Sequence, residues 1–147
     1  MLPPLLAGLP VLLLCLALQA SFVGLCLRWH ARFRRTHADG ATGTSMRVLS
    51  AAMLLMLLCN FLQVGIWAVL FFLLGEFAHF SEALYHSAVN FSTLGYGDVV
   101  MSHRWRLLGP LEAANGILMF GVSTAVMTGA VVDILKYNDP RQERDGR

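Results

Sequence analysis

The chain has 147 residues, 56% of them hydrophobic and only 14% charged, with a mean hydropathy of +0.61 and a formal net charge of +2. A soluble domain carries about 25% charged residues, so this composition excludes one and describes a membrane protein. Most of the basic residues fall between the first two apolar runs or in the tail, so their placement says more than their sum.

The first apolar run, Leu5 to Leu27, is long enough as a helix to cross a bilayer core of about 30 Å, and residues 1–28 are expected to form a spanning helix. Nothing basic precedes it and it exceeds a signal-peptide core, which disfavours a cleaved leader. It has no regularly spaced arginines inside the span and so is no voltage sensor of the usual kind. Cys15, Cys26 and Cys59 lie within apolar runs without paired ligand spacing, and read as small buried hydrophobes rather than a disulfide or zinc site.

Residues 29–47 follow as a loop in which, just after Arg28, Trp29, Arg32, Phe33, Arg34 and Arg35 mix basic and aromatic side chains, as membrane-surface segments do. The excess of positive charge places this loop in the cytoplasm. Tethered between two spans, it meets anionic lipid headgroups sooner than nucleic acid, and no nucleic-acid partner is expected. The second run, within an outer helix at 48–75, carries Asn60 and Gln63 at i,i+3 spacing, which reads as hydrogen-bonding glue between packed helices.

Ser81 and Glu82 read as an N-cap and a first-turn carboxylate for a short helix at 81–92, too short to span. A half-length helix followed by irregular backbone is tolerated at membrane depth only where protein or an aqueous cavity meets it, the pattern of a re-entrant pore loop. The next residues, 93–98, are Thr93, Leu94, Gly95, Tyr96, Gly97 and Asp98. Successive strand carbonyls point in opposite directions, so aiming them at one axis needs alternating dihedrals, including positive φ at Gly95 and Gly97. Thr93, Leu94, Gly95 and Tyr96 then offer carbonyls to a dehydrated cation, Thr93 adds its hydroxyl, and Asp98 sets a carboxylate at the outer mouth. His79, His86 and His103 share this outer loop and are candidates for proton sensing.

The third run opens with Gly109-Pro110, proline suiting a first helical turn, and is expected as an inner helix at 107–137, followed by a short polar tail at 138–147 that is too small to fold alone. Val122, Ala125, Gly129 and Asp133 recur at three- and four-residue steps and share one face, read as lining the inner pore. Asp133 carboxylates would then ring the cytoplasmic entrance, unless each pairs with Lys136 on its own helix.

With these residues in view, Tyr85 to Asp98 and the following helix resemble the pore domain of the two-transmembrane potassium-channel family, bacterial channels in particular. The likeness extends over 48–137 and leaves the first helix as an addition. It implies an all-α membrane protein of three spanning helices plus a pore helix and selectivity filter, assembled as a homotetramer with one filter strand per chain. Potassium would bind at Thr93 to Tyr96 with Gly97 completing the filter, as the permeant ligand and with no other cofactor. The same match puts a gating hinge at Gly121 and filter-bracing residues at Tyr85 and His86. Leu94 replaces the commoner valine, and Val89 stands where some bacterial members have a glutamate behind the filter, so a carboxyl pair with Asp98 is not expected.

The function implied is passive, potassium-selective transport across the plasma membrane, with the N-terminus outside and the C-terminus in the cytoplasm. A non-selective cation channel and a non-conducting auxiliary subunit are the alternatives. An enzyme is not expected, since no nucleophile, base and orienting group share membrane depth at usable spacing.

Overall fold

The computed structural model describes residues 2–36 and 42–137. They form four helices and, among the described residues, no strand: α1 (Leu2–Thr36), α2 (Thr42–Leu73), α3 (Phe80–Phe91) and α4 (Leu108–Tyr137). Three stretches are long and apolar enough to cross a membrane, Leu2–Trp29, Leu49–Leu73 and Leu108–Val132. At 1.5 Å per residue even the shorter ones reach about 37 Å. The chain is a multi-pass membrane protein.

Two helices run further than the sequence reading placed them. Trp29–Thr36 extends α1 and Thr42–Arg47 opens α2, so most of the segment expected as a loop at 29–47 is helical. Once a helix is nucleated each further residue adds a bond at little cost, and arginine and alanine are good helix formers. The pore helix starts at Phe80 rather than Ser81, with His79 as its N-cap and no side-chain cap bond, so Ser81 lies inside the first turn with Glu82. The glutamate keeps its expected place near the positive end of the helix dipole.

The main core draws on all four helices, with Cys15 from α1, Trp67 and Phe71 from α2, Phe91 from α3 and Leu108 and Met119 from α4. Midway along the spans a polar cluster joins three of them. Gln63 Nε2 donates to Gln19 Oε1 at 2.8 Å, Gln19 Nε2 donates to Ser123 Oγ at 3.1 Å, and Asn60 Nδ2 donates to the same hydroxyl at 3.3 Å. Asn60 and Gln63 are therefore interhelical glue, as read, and their partners are α1 and α4 of the same chain. Amides with no water to turn to fix the register of helices whose apolar packing alone is permissive.

Pro3 and Pro4 at the start of α1 border one shallow cavity with His103, Arg104 and Arg106, so the N-terminal end lies beside the loop that follows the filter.

Candidate functional site: the pore loop and its supports

The segment after α3 is built from glycine and from the last turn of the helix. Thr93 N–H donates to Asn90 O at 2.8 Å, and Leu94 and Gly95 N–H both donate to Val89 O, at 2.9 and 3.3 Å. The carbonyls left unpaired at a helix C-terminus thus hold the start of the 93–98 segment. Beyond them φ changes sign residue by residue: it is positive at Thr93 (61°), Gly95 (59°) and Gly97 (73°) and not at Leu94 or Tyr96. The two glycines were legible from the motif. Thr93 was not, and a β-branched residue at positive φ is a true outlier that its surroundings must enforce.

Asp98 and Val99 are tied to α3 by two side chains. Tyr85 Oη donates to Asp98 Oδ2 at 2.7 Å. That bond holds the Asp98 carboxyl below its ordinary value and pushes the Tyr85 phenol up, so the exposed outer carboxylate is ionised. His86 is buried, its ring 5.5 Å from Phe71 and 5.1 Å from Phe77. Its Nδ1 lies 2.8 Å from Val99 O and must donate there, while Nε2 lies 2.8 Å from Asn90 Nδ2 and accepts. This is the neutral ring, and burial lowers the His86 pKa, against a smaller upward pull from Val99 O, Asp98 and Glu76. Val89 is buried in α3, whereas His79 and His103 are exposed. The loop after the filter is held from α2's end, where Glu76 accepts from the Ser102 backbone N–H at 2.6 Å and its hydroxyl at 2.8 Å.

Behind α3 lie residues that the sequence reading missed. Glu112 is fully buried in α4 and meets Ser87 of α3 at 2.5 Å. A lone carboxyl inside an apolar span was the available signal. Among the described residues, Glu112 Oε2, the Asn115 amide and Trp67 Nε1 are buried without a hydrogen-bond partner. Gly116 faces the backbone of Phe91 so closely that a Cβ would stand 1.9 Å from its carbonyl oxygen.

On α4, Val122, Ala125 and Gly129 line a groove with Val23, Cys26, Leu27 and Trp29 of α1 and Ala52 of α2. They share a face, as spacing required, and α1 borders that face while Ala125 and Gly129 stay exposed. Gly121 stands in open space within a continuous helix. The side chain of Asp133 and the tail at 138–147 fall outside the described residues.

Comparison with curated proteins and with solved structures finds no match. A family model described as "Ion channel" matches residues 57–133, more than half the chain, from within α2 through the pore helix and filter to the last turns of α4. With two helices long enough to span enclosing α3 and the 93–98 loop inside that match, the chain belongs to the ion-channel family, and α1 lies outside the matched residues.

Proposed function

We propose that the protein is a homotetrameric potassium-selective channel. The observation that carries this reading is the alternation of φ along Thr93 to Gly97. It turns alternate peptides over so that successive carbonyls face one side, the geometry with which potassium filters replace an ion's water. Reconstituted protein is expected to pass potassium and rubidium but far less sodium. Equal sodium and potassium flux would favour the non-selective alternative, and absence of flux the auxiliary subunit.

Assembly follows from the same strand. One chain supplies too few oxygens to surround an ion, and Leu94 and Tyr96, large apolar side chains beside the filter, are 55% and 67% exposed. A neighbouring subunit would cover them. A fourfold particle is expected in nanodiscs by native mass measurement, and a monomer or dimer there would defeat the reading. In that tetramer the inner pore is lined by the stripe next to the one spacing picked out. Phe120, whose ring is 5.5 Å from that of Phe91 at the end of the pore helix, leads to Thr124 and Thr128, both exposed. The cytoplasmic sidedness of the basic segment and its contact with anionic headgroups rest on its charge, and a plasma-membrane location rests on the resemblance to potassium channels.

The outer pH response is expected to come from His86. Because its folded pKa is depressed, the supporting structure is fully stable above the ordinary histidine value of 6.5 and loses stability as pH falls below it. Protonation would place N–H on Nε2 against an amide donor. Current should therefore fall on external acidification below 6.5 and keep falling in a channel with His79→Gln and His103→Gln. A response abolished by that pair would move sensing to the exposed histidines.

A further inference from the structure

The contacts of Ser87 leave one proton too few. Its Oγ lies 2.8 Å from the Val64 carbonyl oxygen of α2 and 2.5 Å from Glu112 Oε1 of α4. A serine hydroxyl has a single proton to donate. If Ser87 gives it to Val64, the bond to Glu112 needs a proton from the carboxyl. If Ser87 gives it to Glu112, two oxygens face each other at 2.8 Å with nothing between them. Glu112 is fully buried, and its Oε2 has no hydrogen-bond partner among the described residues. A carboxylate so placed would have no cation to pair with among the described residues, at a cost far above that of the neutral acid. Asn90, beside the carboxyl, turns one Nδ2 proton to His86 and leaves its second as the one further donor that favours a charged Glu112, and Cys15 of α1 is the nearby titratable group on the remaining side.

We infer that Glu112 is protonated and donates to Ser87, making it the positioning residue that ties the inner helix to the pore helix behind the filter. Ser87 in turn donates to Val64, so one chain of two hydrogen bonds joins α4, α3 and α2. The placement matters because the last turn of α3 holds the filter: Asn90 O and Val89 O accept from Thr93, Leu94 and Gly95. A slip of α3 by a few tenths of an ångström reaches those backbone groups directly. α4 is also a long helix whose inner half is less buried than this junction, so its displacement would be transmitted to the filter through Glu112.

The inference rests on the channel reading for its consequence but not for its chemistry, so two measurements are paired on the reconstituted full chain. Infrared spectra at neutral pH should show a protonated-carboxyl band that Glu112→Gln removes. Absence of that band would overturn the inference whatever ion the channel passes. Glu112→Gln keeps an N–H donor for Ser87 and should keep the wild-type potassium-over-sodium flux ratio. Glu112→Leu, similar in volume but with no donor, should lower that ratio on the order of tenfold, about 1.4 kcal/mol or the worth of one hydrogen bond. Ser87→Ala should do the same with little change of shape, and decides the matter if the leucine variant does not assemble. A wild-type ratio in Ser87→Ala or Glu112→Leu would overturn the positioning role. Equal sodium and potassium flux in the wild type would instead refute the potassium reading and leave the band to decide the protonation.

Discussion

Gly116→Ala is expected to prevent assembly of a stable channel, while Gly121→Ala, five residues along the same helix, is expected to be tolerated. Both changes gain about 1 kcal/mol of helix propensity. They differ in what the new methyl meets. At Gly116 it would stand 1.9 Å from Phe91 O and 2.8 Å from Phe91 C, backbone atoms of the turn that leads into the filter. At Gly121 nothing lies within 4 Å. Overpacking costs about 1–3 kcal/mol even where side chains can yield, and here a helix must move, so the loss per subunit outweighs the gain in propensity. Thermal unfolding and the monodisperse yield in mild detergent measure it. Equal stability of the two variants would show that α3 and α4 do not meet as closely as described.

That contrast marks where sequence reading stopped. The three spans, the pore helix and the positive φ at Gly95 and Gly97 were legible because each depends on local composition or on a motif whose backbone chemistry is short-range. Asn60 and Gln63 were legible as glue because an amide inside an apolar run has few other uses. Their partners Gln19 and Ser123 were not, since an all-round apolar helix carries no periodicity to say which face meets which neighbour. The same ambiguity left open which neighbour the stripe at Val122, Ala125 and Gly129 would meet. Spacing put these residues on one face, and packing shows that α1 borders it. Gly116 was one glycine among 13 until Phe91 was set against it. Ser81 looked like the better cap, yet the helix begins one residue earlier, where the chain leaving Gly75 and Glu76 turns in at His79.

Gly95→Ala and Gly97→Ala should leave the particle assembled but abolish its discrimination between potassium and sodium. Neither position is crowded within the subunit, so the penalty is conformational rather than steric contact with a neighbour. With φ at 59° and 73°, an added Cβ costs about 1–2 kcal/mol in each chain. In a fourfold filter the four copies act on one ion pathway, giving about 4–8 kcal/mol, enough to make the flipped peptide the preferred one. A flipped peptide turns a whole ring of carbonyls away from the axis, and the ion loses oxygens it needs in place of water. Thr93 already tolerates φ of 61° as a β-branched residue, so the scaffold can impose this conformation at the helix end, where Asn90 O anchors its N–H. Gly95 is anchored by a longer bond at 3.3 Å, and Gly97 has no such backbone anchor to α3. Gly97→Ala is therefore the more damaging of the two. Reversal potentials under bi-ionic potassium and sodium measure the change, and an alanine channel with wild-type discrimination would sink the argument that glycine is there for its backbone.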